Sequence, residues 1–455
     1  MPDAPTATQP EPDPSAGQSG SPRSRAGRSD VRHGSPTGRS DVPDGSPAGR
    51  SDPGRGGPLA GLLVADFSRV LAGPLATMTL ADLGADVIKV ERPGTGDETR
   101  SWAPPYAADG ESTYYLAINR NKRSICLDLS TEEGRAAARA LAVRADVLVE
   151  NLAPGAMSRY GLGYEQLADD NPGLVYASLT GFGPDASLPG YDFLVQAVGG
   201  LMSLTGTPDG EPTKVGVALV DVLAGKDLAT GVLAALVARG RTGRGQRVEV
   251  NLLSSLLAAL VNQASAYLNA GVTPTRMGNR HPSIAPYETL RAADREFAVA
   301  VGNDGQFARL AAAVGLPDDP RFATNTLRVR HREALLDAIE SRLATRTADE
   351  WVDVLRRAGV PCGPVNTVPE GFDLAERLGL APVVRLPRAD GTTVATVAQP
   401  VRLGDQPATY RLPPPRLGEH TDEVLAALGV GTNAHRPGTH IDRDARERDG
   451  ETQDA

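Results

Sequence analysis

The chain has 455 residues, with 47 Lys and Arg against 56 Asp and Glu, for a formal net charge of −9. That length allows two or three domains and a large buried core. The acidic balance, with no sustained basic patch and no interleaved aromatics, argues against nucleic acid as a partner, and no apolar run reaches the roughly 18 residues of a membrane span.

Residues 1–57 are dominated by Pro, Gly, Ser, Asp and Arg, and GRSD recurs at 27–30, 38–41 and 49–52. Such a segment cannot bury enough apolar surface to offset chain entropy, so a disordered extension is expected over 1–57 and a disordered tail over 431–455. No apolar stretch follows basic residues near the N-terminus, so no secretory leader is expected. From 58 the texture changes. LLVADF, PLATMTLADLGA and DVIKVE, then SICLDL, TEEGRAAARALAVRA and DVLVEN, alternate short apolar runs with helix-period segments. This alternation predicts βαβ units around an open, Rossmann-like parallel sheet, an α/β fold. Thr131, with acids close behind it, is a good helix start.

QRVEVNLL (246–253) then reads as a strand and SSLLAALVNQASAYLNA as one helix, which carries a large domain to about 284. Beyond it, EFAVAVG reads as a strand, followed by helices near 304–316, 332–345 and 349–358. The run VVRLPRADGTTVATVAQPVRL reads as a hairpin about its ADGTT turn. A smaller α/β domain is expected over 285–395, with 396–430 returning to the large domain through the helix in LGEHTDEVLAALG.

Cys126 and Cys362 are the only cysteines, and neither has metal-ligand spacing. They read as reduced thiols in a cytoplasmic protein. There is no HExxH, and no His at all between His33 and His281. GxGxxG and the Walker motif are both missing; Gly225-Lys226 is followed by Asp227. A nucleotide-triphosphate or dinucleotide site is therefore not expected, nor is a metal or any tightly bound cofactor.

Asp221 stands immediately before a long apolar-patterned helix that ends in the basic, glycine-rich TGRGQ. Asp is a preferred N-cap, so the position reads as either a cap or a nucleophile. The helix's positive end would favour its ionised form.

The order of segments resembles the class III coenzyme A transferases, the CaiB/BaiF group of formyl-CoA transferase and carnitine CoA-transferase. The resemblance rests on LLVADFSRVLAGPLATMTLADLGADVIKVERPGTGDETRSW (62–102), NRNKRSICLDLS (119–130), DVLVENLAPGAMSRYGLGY (146–164) and GFGPDASLPGYDFLVQAVGGLMSLTG. It continues through VGVALVDVLAGKDLATGVLAALVARGRTGRGQ, RMGNRHPSIAPYETL (276–290), AGVPCGPVNTVPE (358–370) and LGEHTDEVLAALG (417–429). It covers about 58–430 and implies two chains interlocked like linked rings.

It also implies that Asp221 attacks an acyl-CoA and becomes an aspartyl-CoA thioester, from which CoA passes to a carboxylic acid. The donor could be succinyl-CoA. Leu71, Ala72, Arg92, Asn151, Leu152 and Arg159 match positions that contact CoA, with Lys122 and Arg123 as weaker phosphate candidates. Leucine at 71, where formyl-CoA transferase has glutamine, argues against formyl or oxalyl specificity. Asp192 matches an active-site acid, or else caps a helix over 193–205. Arg280 and His281, in GNRHP, are candidates for a second carboxylate of a diacid; the alternative is a His satisfied by backbone beside Pro282.

The enzymatic rival is α-methylacyl-CoA racemase, which shares the fold. That branch places His where this chain has Tyr191 and Glu where it has Gly305, so its acid–base pair is missing. A CoA-binding relative without activity is the third reading.

Overall fold

The computed structural model describes residues 56–186 and 188–431. The extension expected over 1–57 and the tail over 431–455 lie, apart from Gly56, Gly57 and Gly431, outside the described residues.

The chain first lays down β1 (Leu63–Asp66), α1 (Ala72–Asp82) and β2 (Asp86–Glu91), followed by α2 (Thr113–Ala117), β3 (Lys122–Cys126), α3 (Glu132–Arg144) and β4 (Val147–Glu150). Short helices α4 (Ala156–Arg159) and α5 (Tyr164–Ala168) lead to β5 (Val175–Thr180). Helices α6 (Asp192–Val198) and α7 (Leu219–Thr242) lead to β6 (Arg247–Asn251). The six strands form one parallel sheet in the order β3-β2-β1-β4-β5-β6. The order reverses between β1 and β4, and in such sheets ligands settle in the crevice beyond the strand ends at that point.

Both faces of the sheet are covered, and its central strands β1, β4 and β5 are largely apolar. Val64, Val147, Val149 and Val175 point to one face, where α1, α7 and α8 (Leu252–Ala259) pack with Leu80, Leu228 and Leu256. Ala65, Leu148 and Tyr176 point to the other, against Leu141 of α3. Truncating a fully buried leucine such as Leu141 would cost about 2–5 kcal/mol. Thr131 caps α3 as expected, accepting the Gly134 amide. Gly243 ends α7 in the left-handed conformation.

Two expected helices are broken. The segment over 254–270 divides at Leu260 into α8 and α9 (Val261–Ala270), and α9 buries no residue, so nothing in the core holds it in line. The helix expected over 193–205 stops at Val198, because Gly199 and Gly200, the latter at φ +91°, turn the chain.

A third core belongs to β7 (Tyr287–Arg291), β8 (Glu296–Ala300), α10 (Asp304–Val314), α11 (Asn325–Arg330), α12 (Arg332–Leu343), α13 (Ala348–Arg357) and β9 (Cys362–Pro364). It is built on Phe297, Leu335, Ile339 and Trp351. After α14 (Val368–Arg377), the expected hairpin forms from β10 (Val383–Pro387) and β11 (Thr393–Val397). Its polar partners differ from its assignment to the smaller domain. Arg388 pairs with Asp109 and Glu111, and the Val397 carbonyl accepts from Arg120, all in the segment between β2 and β3. Finally α15 (Thr421–Leu428) lays Val424, Leu425 and Leu428 onto the second face of the large sheet.

Candidate active site

The start of α7 sets the geometry. Asp221 is not its cap: Ala218 holds that position, and Asp221 lies in the first turn. The capping is done from outside. Asp192 Oδ1 accepts the amides of Val220 at 2.8 Å and Asp221 at 3.2 Å. Its Oδ2 accepts from the buried Gln196 amide at 2.6 Å, and Gln196 in turn holds the Val215 amide at 2.9 Å. Asp192 is therefore the cap of a helix other than its own, which sequence spacing could not reveal. Its own helix begins after Tyr191, with no side-chain cap.

Since a cap has no need of Asp221, its carboxylate is left over. Burial, and then the charge of Asp192, push it up to about 7. Against the expectation that the helix end keeps it ionised stand its burial and the like charge of Asp192.

Gly225, one turn on from Asp221 along the same face, packs against α1. A Cβ at 225 would stand 2.6 Å from the Ala72 carbonyl. The first turn of α1 thus packs on the second turn of α7, one turn on from Asp221. A helix start presents unpaired amides, which suit a developing oxyanion.

The β1–α1 turn is clamped from both neighbouring strands. Beyond β4, the Asn151 side chain accepts the Arg69 amide and donates to the Arg69 carbonyl, each at 2.8 Å. Beyond β2, Asp97 accepts the Val70 amide at 3.3 Å, and the buried Lys89 donates to the Ser68 carbonyl at 2.8 Å. Lys89 also pairs with Asp97 at 2.9 Å. Val70 sits at φ +68°, a strained conformation for a β-branched residue that costs about 1–3 kcal/mol and persists only where the surroundings hold it.

Among the other candidates, Arg92 and Arg159 are exposed, and their side chains take no partner among the described residues. Leu152 is half-buried, its amide held by Glu150 at 2.9 Å. Lys122 and Arg123 are corrected as phosphate ligands. Lys122 is fully buried on Asp66, Asn119 and the Pro74 carbonyl, and Arg123 is bound by Asp86 and Glu423. Arg280 pairs with Glu333 at 2.5 Å and approaches Glu288 at 3.6 Å. His281 Nδ1 accepts the Ser283 amide at 3.1 Å and its ring leans on Tyr287, so backbone satisfies it. Neither has a polar partner among Asp192, Asp221 or Tyr114.

Tyr114 went unnoticed in the sequence. Burial, then Asp221, Asp192 and Asp97, push its phenol up to about 12. One protonated hydroxyl is thus shared electrostatically by three acids from three segments, and its ring meets Trp102 edge-on at 5.3 Å. Neither residue sits in a local motif that would have singled it out.

Residues 59–421 match the description CoA-transferase family III. The chain is 44% identical over 382 residues to the succinate–glutarate CoA-transferase of Agrobacterium fabrum, covering 82% of this chain and 96% of that one. It is 44% identical over 327 residues to the acetyl-CoA:oxalate CoA-transferase of Acetobacter aceti, covering 70% and 84%. A CAIB/BAIF family protein from Brucella suis superposes with a TM-score of 0.74 at 43% identity, covering 82% of this chain and all of that one. The chain belongs to CoA-transferase family III and is a CoA-transferase, using CoA thioesters and carboxylic acids as its substrates.

Proposed function

We propose that Asp221 is the nucleophile and that the acids exchanged are small dicarboxylates, with succinyl-CoA as donor. The Asp221 carboxylate attacks the donor thioester carbonyl; a C–O bond forms, the C–S bond breaks, and CoA leaves as thiolate. The thiolate then attacks the aspartyl carbonyl of the mixed anhydride, which makes the aspartyl-CoA thioester and frees the donor acid as carboxylate. The acceptor carboxylate runs the two steps in reverse and leaves as the new acyl-CoA. No net proton moves, so no general base is needed, and one hard exchange becomes a series of easier covalent steps. Amides at the start of α1, with the Tyr114 hydroxyl, are the donors at hand for the oxyanions.

The observation that carries this reading is an acid in the first turn of α7, relieved of capping by Asp192 and raised by burial. Arg92 and Arg159, whose side chains take no partner among the described residues, hold the CoA phosphates in this reading, and Leu71, Ala72, Asn151 and Leu152 frame the crevice between them. Arg280 and His281 hold the far carboxylate of the diacid in this reading, which requires Arg280 to release Glu333.

A homodimer belongs to the same proposal. Val261, Tyr267 and Leu268 on α9, Val368 and Leu374 on α14 and Leu378 just after it are exposed, a pattern that a second copy would cover. The two free thiols, Cys126 and Cys362, suit the cytoplasm.

Incubation with succinyl-CoA and a panel of carboxylic acids, followed by intact-mass spectrometry and chromatography of new thioesters, tests the reading. A CoA adduct that maps to Asp221 is the expected result. Deuterium exchange at the substrate α-carbon without CoA transfer would reject it in favour of the racemase.

A further inference from the structure

Gln196 lies beside Val195 on the buried face of α6 and is fully enclosed. Burying an amide costs about 1–3 kcal/mol unless its polar atoms are bonded, so packing alone would favour a leucine there. Its bonds therefore say what it is for. Oε1 accepts the Val215 amide at 2.9 Å, and because a backbone N–H can only donate, this fixes which way the side chain faces. Nε2 is left to donate to Asp192 Oδ2, at 2.6 Å and one helical turn back. It also approaches the Val217 carbonyl at 3.5 Å.

The segment that Gln196 holds has little else to fix it. Residues 211–214, with Gly216 and Val217, are exposed. Among the described residues, no other side chain from outside 213–218 bonds the backbone of that stretch. Directly after it α7 begins at Leu219, and Ala218 before it offers no side-chain cap. The first turn of α7 is tied to α6 through Asp192 Oδ1, which accepts the amides of Val220 and Asp221. Gln196 thus grips both things that place this turn, the acid that caps it and the chain that enters it.

We propose that Gln196 is a positioning residue for CoA transfer: by tying Asp192 to the Val215 amide, it sets where the Asp221 carboxylate stands against the acyl-CoA. Being enclosed, it acts through Asp192 and not on the substrate itself. This rests on the reading of Asp221 as nucleophile, and adds that the placement of Asp221 is built from α6.

The test uses the full-length enzyme with saturating succinyl-CoA. It follows kcat and, by quenched intact-mass spectrometry, the rate at which CoA is added at Asp221. Gln196→Leu fills similar space but bonds to neither partner. Gln196→Glu still accepts the Val215 amide, but sets a second acid against Asp192 in place of the N–H. Both should slow adduct formation and kcat by about ten- to a hundredfold, the scale of misplacing a reacting group by about 1 Å. In an Asp192→Ala background, Gln196→Leu should cost no more than about a further twofold, because a residue that acts through another loses its effect once that other is gone. A merely structural role would give the same fold-loss in both backgrounds, and that result overturns the proposal. So does a wild-type rate in Gln196→Leu. If Gln196→Leu does not fold, Gln196→Glu decides, and a wild-type rate there overturns the proposal equally. If Asp221→Asn still transfers CoA, the nucleophile reading falls, while the comparison of the two backgrounds in kcat still decides whether Gln196 acts through Asp192.

Discussion

Asp192 acts on Asp221 in two opposed ways, accepting its backbone amide at 3.2 Å while its charge adds to the burial that raises the carboxyl to about 7. The first interaction fixes where the proposed nucleophile stands, and the second bears on when it is ionised. A single side chain thus couples helix capping to reactivity.

Asp192→Asn separates the two effects, keeping an acceptor oxygen for the amides while removing the charge, at the expense of the Gln196 contact. Without the repulsion, Asp221 ionises more readily. If only the carboxylate attacks, the acid limb of kcat/KM is expected to rise near pH 7 in the wild type and to move down by roughly one pH unit in the variant. A pH–rate series on the two proteins checks this, and coincident limbs would show that burial alone sets the titration.

Asp221→Asn should abolish formation of the aspartyl-CoA adduct and lower kcat by at least about four orders of magnitude, as loss of a covalent nucleophile does. It should also stabilise the fold. Asp221 is an acid whose folded-state value is raised from 3.8 to about 7. The unfolded chain therefore gives up its proton first, and stability is lost as pH rises from about 4 to 7. The neutral amide escapes that loss, by at most about 4 kcal/mol at pH 8 and by nothing below pH 4. Urea unfolding at pH 8 and pH 4 measures the difference. Equal stabilities at pH 8 would mean that the carboxylate is already accommodated.

The strands β1 to β4 were legible because short apolar runs there alternate with helix-period segments, whereas β5 was not singled out, and Asp221 was visible as a candidate from its neighbours in the chain. Its exact place in the helix was not, since Leu219 and Val220 begin α7 without any capping residue before them. Asp97, Lys89 and Tyr114 were invisible for a different reason. Their meeting depends on β2 lying beside β1, which joins residues with nothing local in common. Lys122 shows the opposite failure. A lysine at the head of a strand reads as a surface charge, but β3 runs beside β2, and Asp66 at the end of β1 draws the ammonium inward.

The Lys89–Asp97 pair should behave as a structural clamp that survives acid. Burial works to raise the Asp97 carboxyl, but Lys89 and Thr99 outweigh it and bring it down to about 2. The stability it contributes is thus complete above about pH 4 and is lost only as pH falls toward 2. Asp97→Ala leaves the Lys89 ammonium buried without the carboxylate it pairs with at 2.9 Å, so unfolding should become easier by about 3–5 kcal/mol at pH 7. Chemical denaturation provides the value; a change below 1 kcal/mol would mean that Asp66 alone can satisfy Lys89.

The basic residues divide into those that can meet an anion and those already spent. Arg92 and Arg159 are exposed and take no side-chain partner among the described residues, so Arg92→Ala and Arg159→Ala should raise KM for succinyl-CoA several-fold while leaving Tm within a degree or two. Lys122 is the contrasting case. Burial pulls its ammonium down to about 8 in spite of Asp66, and it holds Asp66, Asn119 and the Pro74 carbonyl together beneath the β1–α1 turn. Lys122→Ala should therefore lower Tm by many degrees through an unpaired buried carboxylate. Steady-state kinetics and thermal unfolding on all three variants distinguish the classes. A Lys122 variant that keeps its Tm and raises only KM would restore that lysine to the phosphate site. The packing points the other way, because an ammonium enclosed by Asp66, Asn119 and the start of α1 has no face left for a ligand.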